Sequence, residues 1–244
     1  MSKPSIEPGA SALAYQLYVE LDWVKPKVWR RFLVPITIEL PRLHVILLWG
    51  TGWDGGHIHE FVFGHDNYVA LEPNMDLPDD AQDEEGITLR EALGARKTFV
   101  YIYDYGDNWR HKVKVEKVVS LDAPIELAIC IGGENACPPE DIGGAPGYEE
   151  FLEVLADPAH PEHAEQKAWI GRDFDPKEFS VEAVNRRLTP RGLLIAVGNG
   201  RTIRGRLRKR IAKYAKRTGR CRQSTPAAAR WWISAAAAGD PGDS

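Results

Sequence analysis

Tyr15, Leu17, Val19, Leu21 and Trp23 alternate with polar or smaller residues, the two-residue period of a strand with one buried face. Lys25-Pro26-Lys27 makes a turn and residues 28–34 (VWRRFLV) a second strand, so the chain is expected to open with a hairpin. Pro41 is placed as the first residue of a helix, with Leu43, Ile46 and Leu47 at helical spacing until Gly50 and Gly52 stop it. Residues 57–63 (HIHEFVF) form a third strand that ends near Tyr68. Residues 72–86, with seven acids and two prolines, read as a solvated loop, and 88–93 as a short helix. Residues 98–105 and 109–119 are two strong strands about a two-residue Gly106-Asp107 turn of the II′ kind. A Gly/Pro-rich loop over 130–147 precedes helices at 148–156, 161–169 and 181–188, and Asp175-Pro176-Lys177-Glu178 has capping-box spacing.

The order β-β-α-β-α-β-β with a helical C-terminal part predicts an α+β fold on a mixed, mostly antiparallel sheet. One domain is expected over 14–190. From Pro190 the pattern dissolves, and 191–244 read as a basic, low-complexity, flexible tail. Charge sharpens that division. Residues 201–230 hold twelve Lys/Arg, and the only acids after 200 are Asp240 and Asp243, which makes the tail +10. The body before it keeps 19 bases against 33 acids, or −14. With 43% hydrophobic residues and eight tryptophans, the chain is not a disordered one. Its longest apolar run, 45–49, is five residues, far below the ~18–20 of a membrane span, so no membrane partner is expected. The N-terminus lacks an apolar signal core, which points to a cytoplasmic protein. Cys130, Cys137 and Cys221 are too few and scattered for a disulfide framework.

Seven strings, taken together, carry a family likeness: VWRR at 28–31, Leu43-His44, Gly52-Trp53, HIHEF at 57–61, YDYGDNWRH at 103–111, PPEDIGG at 138–144 with Gly147-Tyr148, and VNRRL at 184–188. In this order they resemble the plasmid Ri open-reading-frame-three family, whose insertion-element members are labelled passenger or TnpR-like proteins. The resemblance spans about 15–188. It implies an α+β fold and an accessory protein of plasmid or mobile DNA, with no known chemistry. Many members carry a cysteine where this chain has Ile142, so a cysteine-based metal site is not expected here.

No P-loop, nucleophile elbow or dinucleotide fingerprint occurs. One candidate constellation is a metal or acid–base site. His57 and His59 project to one face of a strand, Asp104, Asp107 and His111 gather about the hairpin turn, and Glu140 and Asp141 lie in a loop able to fold over them. Such donors suit a divalent transition metal (zinc, manganese or iron(II)) in a hydrolase-like enzyme. The same residues also have a structural account: Asp107 a turn residue, Asp104 bonding backbone amides near the turn, His111 half-buried, and Glu140 and Asp141 capping the helix near Tyr148 or holding the loop by accepting its N–H groups. No cofactor is expected otherwise.

A second candidate is nucleic-acid binding without catalysis. If Gly106-Asp107 is the turn, Tyr101 and Tyr103 share a face with Arg110 and Lys112, interleaving rings and cations as single-strand binders do. The alternative is that the rings lie beneath a helix while the cationic stems snorkel over them. In the tail, Arg204, Arg206, Arg208, Lys209, Arg210 and Lys213 flank a thin stripe of Ile203, Leu207, Ile211 and Tyr214, a segment suited to nucleic acid or an acidic protein partner. Oligomeric state is not legible.

Overall fold

The computed structural model describes residues 12–71 and 81–188. Its elements are β1 (Ala12–Leu21), β2 (Trp29–Pro35), α1 (Leu40–Thr51), β3 (His59–Phe63), β4 (Asp66–Val69), β5 (Ala81–Asp83), α2 (Leu89–Leu93), β6 (Thr98–Tyr103), β7 (Trp109–Leu121), β8 (Ile129–Glu134), α3 (Gly144–Ala156), α4 (His163–Ile170) and α5 (Val181–Arg187). The strands form one sheet in the order β5-β4-β3-β6-β7-β1-β2-β8. Among the described residues only the β4–β5 pair is parallel. The expected α+β class and mostly antiparallel sheet are what the chain adopts.

The alternation read in β1 decides which face is buried: Leu17, Val19 and Leu21 are at most 3% exposed, while Tyr18 and Glu20 between them stay part-exposed. Register carries that face across the sheet. Leu17 pairs with Phe32 and Val115, Val19 with Val113, and Phe61 with Tyr101, all inward. α1 lies over this face and is apolar almost all round, as a helix enclosed by sheet and loops must be. It starts at Leu40, one residue before the expected Pro41, which lies in its first turn, and Gly52, left-handed at φ 108, closes it.

Several details differ from the pattern-based expectations. The 130–147 loop contains the edge strand β8, concealed by Gly132-Gly133. Gly133 admits no Cβ, because the Phe179 ring and the Trp29 carbonyl lie within 3 Å of where it would sit. β4 and β5 are separate short strands rather than a tail of β3 and a loop. Asp175-Pro176-Lys177-Glu178 forms a turn, not a helix start: α5 begins at Val181 behind its N-cap Ser180, whose hydroxyl accepts the Ala183 N–H. The capping box lies instead at α2, between Thr88 and Glu91.

The β6–β7 connection is the correction with most consequence. It is a five-residue loop, 104–108, closed by Asn108 N–H donating to the Asp104 carbonyl at 2.6 Å, with Asp104 (φ 57) and Asn108 (φ 52) left-handed. Tyr101 therefore faces His111 and Tyr103 faces Trp109, one position away from the register a Gly106-Asp107 turn requires. A one-residue slip exchanges faces. Tyr101 and Tyr103 are 0% exposed beneath α1, and Arg110 and Lys112 stand on the opposite face.

Candidate functional site

The 104–108 loop is built by its own side chains. Asp104 turns one carboxylate oxygen, Oδ1, to accept the Gly106 N–H at 2.9 Å, the backbone bond expected of it at the turn. Its other oxygen, Oδ2, lies 3.3 Å from His57 Nδ1. Asp107 reaches to the next segment, where its Oδ2 accepts the Gly143 N–H at 3.2 Å and holds the start of α3. Gly144, at φ 71, packs so closely on the Asp107 carbonyl that a Cβ would sit 2.4 Å from it.

The PPED segment is fastened from above. Trp53 Nε1–H donates to the Pro138 carbonyl at 2.9 Å, and Tyr103 O–H donates to Glu140 at 2.7 Å. Asp141, left-handed at φ 60, places Oδ1 3.3 Å from His57 Nε2. The imidazole of His57 thus sits between two carboxylates, one at each ring nitrogen, with its edge against the Tyr103 ring. One donor atom from each of His57, Asp104 and Asp141 lies within 4.8 Å of the others.

The electrostatics follow from crowding acids around one base. Burial alone would lower the His57 pKa, but the hydrogen bond to Asp141 and the charges of Asp104, Asp141 and Glu140 outweigh it, and the net shift is upward. Glu140 is raised by burial, against the opposing bond from Tyr103. Asp107 is also raised by burial, with Asp104 and Asp141 adding to the shift. The cluster is an anionic, partly buried place where a cation would relieve repulsion.

The expected seven-residue constellation therefore divides. His57, Asp104 and Asp141 come together, with Glu140 and Asp107 beside them. His59 does not join: β3 begins at His59, so His57 lies on the bend before it and the two rings part. His59 Nε2 is 2.9 Å from Glu84, and its ring stacks on His44 with centroids 3.6 Å apart. His44 Nδ1 lies 2.8 Å from the Tyr101 hydroxyl. His111 is fully rather than half-buried. Its Nδ1–H donates to the Trp109 and Tyr101 carbonyls, and its Nε2 has no partner among the described residues. At the start of α3 it is Asp107 that accepts the Gly143 N–H, while Glu140 accepts the Asp54 N–H at 3.4 Å. Glu84, only 3% exposed, was hidden in the acidic run, where nothing sets it apart from its six neighbours in charge.

The interleaved face expected on the hairpin is not formed, because Tyr101 and Tyr103 are core residues. Lys112 Nζ instead bonds Asp22 at 2.8 Å, with Arg110 3.9 Å from the same carboxylate. Arg204, Arg206, Arg208, Lys209, Arg210 and Lys213 lie outside the described residues. Among the described residues no helix is long and apolar enough to cross a membrane.

Comparison with known proteins places these features in company. A family model described as plasmid pRiA4b ORF-3-like protein matches residues 13–183. An uncharacterised protein, y4hQ, of Sinorhizobium fredii (strain NBRC 101917 / NGR234) is 39% identical over 180 residues, 72% of this chain and 90% of that protein. The crystal structure of a protein of unknown function, MM3350, from Methanosarcina mazei Go1 matches with a TM-score of 0.63 and 33% identity, over 70% of this chain and 97% of that one.

Proposed function

The chain belongs to the plasmid pRiA4b ORF-3-like family, and on that premise we propose that it is an accessory binding protein whose folded part holds one divalent transition-metal ion on His57, Asp104 and Asp141. The observation that carries this is the approach of three donor atoms from three separate segments to within 4.8 Å. A nitrogen and two carboxylate oxygens suit zinc, manganese or iron(II). With no ion, the imidazole proton and two carboxylates satisfy one another. An ion takes one ring nitrogen in place of its proton, and side-chain rotation closes the oxygens to bonding lengths of about 2.0–2.2 Å. An ion held there would also acidify a bound water, the step a hydrolase would need.

The test is calorimetric titration of EDTA-treated full-length protein with Zn²⁺ and Mn²⁺. One ion per chain is expected. His57→Ala should abolish binding, Asp104→Asn and Asp141→Asn should each weaken it roughly 10–100-fold, and Lys177→Ala, remote in sequence, should leave it unchanged. Absence of stoichiometric binding by the wild type overturns the proposal.

A second reading rests on charge. A +10 segment after residue 200, in the same chain as a −14 body, is the asymmetry of a protein that engages nucleic acid or an acidic partner through one end. Replacing Arg204, Arg208, Lys209 and Lys213 together by Gln in the full chain should lower the salt slope of DNA binding by about one for each phosphate no longer neutralised. Fluorescence anisotropy over a salt series measures it; an unchanged slope sinks this reading.

A further inference from the structure

The β1–β2 loop carries a feature that neither the core nor the carboxylate cluster explains. Trp23 is 65% exposed and held at φ 60, a left-handed conformation unfavourable for a bulky side chain, between two inward-facing neighbours, Asp22 and Val24. The loop is not loose. Val24 is 7% exposed, Trp23 N–H donates to Asp22 Oδ1 at 3.1 Å, and Asp22 N–H donates to the Arg110 carbonyl at 2.8 Å. The fold fixes the backbone of this residue and leaves the indole in water. A backbone outlier held in place in this way is the kind of observation from which a hypothesis of function starts.

Beside the indole is a cavity of about 120 Å³ lined by Trp23, Lys25, Ala145, Tyr148 and Glu149, between the loop and the first turns of α3. The segments that line it continue along the chain into those that carry the cluster at His57. The bond from Asp22 to Arg110 ties its loop to the start of β7, and Gly143 and Gly144, just before Ala145, rest on Asp107. The lining specifies a ligand in parts. The indole offers a π-face for a planar ring, Glu149 accepts from ring or exocyclic N–H groups, and Lys25 attracts an anion. A neutral aromatic compound would leave Lys25 unused, and an aliphatic acid would leave Trp23 unused.

We propose that this cavity is a nucleotide subsite, in which a base stacks on Trp23 and its phosphate is drawn by Lys25 toward the ion at His57, Asp104 and Asp141. The phosphate half of this proposal rests on the cation site described above; the base half does not. The ligand is a nucleoside monophosphate or the terminal nucleotide of a strand.

The experiment is calorimetric titration of the full-length protein, both Mn²⁺-loaded and EDTA-treated, with the four nucleoside 5′-monophosphates, a dinucleotide, ribose 5-phosphate and inorganic phosphate. Monophosphates or the dinucleotide should bind, and Trp23→Ala should weaken them roughly five- to hundredfold, the usual worth of one stacked base. Ribose 5-phosphate, lacking a base, should be insensitive to Trp23→Ala, and Lys25→Gln should weaken every phosphate-bearing ligand. Binding of the dinucleotide alone assigns the subsite to a strand end; binding of monophosphates assigns it to free nucleotide. Ribose 5-phosphate binding as tightly as the nucleotides, indifference to Trp23→Ala, or no binding by any of them overturns the proposal. The two readings fail separately. Mn²⁺ binding without nucleotide binding removes only the subsite, and Trp23-dependent nucleotide binding without Mn²⁺ binding removes only the cation site.

Discussion

Asp104, Asn108 and Asp141 hold left-handed backbones, and Asp and Asn are the residues with a Cβ that tolerate this best. Two of these three are the carboxylates at His57, so the strain lies where the candidate chemistry is. The glycines beside them are fixed for a different reason. At Gly144 the left-handed φ of 71 coincides with the Asp107 carbonyl 2.4 Å from the missing Cβ, whereas Gly171, at φ 66, has open space around it. Gly144→Ala should therefore cost about 2 kcal/mol or more, from strain plus overpacking, and should weaken cation binding by parting α3 from Asp107. Gly171→Ala should cost only the conformational share, about 1 kcal/mol. Urea denaturation of the two variants checks this; equal losses would show that the close approach at Gly144 carries no weight.

The edge strand β8 is closed by a side chain rather than by another strand. Asn185 of α5 accepts the Cys130 N–H at 2.8 Å and donates back to the Cys130 carbonyl at 2.8 Å, as a partner strand would. Cys130 is 1% exposed, so Asn185→Ala strands both groups away from solvent and should cost about 1–3 kcal/mol. Hydrogen exchange should quicken at Cys130 and its β2 neighbours while β6 and β7 stay protected; unchanged exchange would count against the clamp. Elements like β8 mark where the sequence stops being legible. β1, β2, β6, β7 and α1 announce themselves through apolar period and proline or glycine punctuation, and the α+β class follows from them. β8 is held by register and by Asn185, 55 residues away, and its glycines read as loop. The hairpin register turned on whether the loop had two residues or five, which Tyr-Gly-Asp-Asn leaves open, and that decided whether Tyr101 and Tyr103 were surface or core. The candidate site was half legible. HIHEF, YDYGDNWRH and PPEDIGG named His57, Asp104 and Asp141, but strand periodicity wrongly yoked His59 to His57, because the bend before β3 has no mark in the sequence.

Across the whole molecule, the unusual core content is a set of uncharged titratable groups. Burial pushes His59 down to about 3 and His111 down to about 4, and it lowers His44 well below its ordinary value with help from its stacked neighbour His59. Burial pushes Glu84 the other way, up to about 7. Each histidine stabilises the fold fully above its ordinary value of 6.5 and loses that contribution as pH falls. Glu84 has the opposite sign: its contribution is complete below 4.5 and is lost as pH rises toward 7. Between about pH 4.5 and 6 the unfolded chain thus binds more protons on these histidines than the folded chain does, while Glu84 holds its proton in the folded chain and opposes them. His57, raised instead of lowered, does not add to this loss. Stability should therefore fall on acidification through this window by about 1.4 kcal/mol per pH unit for each proton of difference. Glu84→Gln keeps the shape of the side chain but removes its opposing proton, so its stability should fall about 1.4 kcal/mol per pH unit more steeply than the wild type. Denaturant titrations of both proteins at pH 4.5, 5.25 and 6 separate the slopes. Parallel lines would mean that Glu84 is ionised in the folded protein and that its bond to His59 is an ion pair rather than a shared proton between two neutral groups.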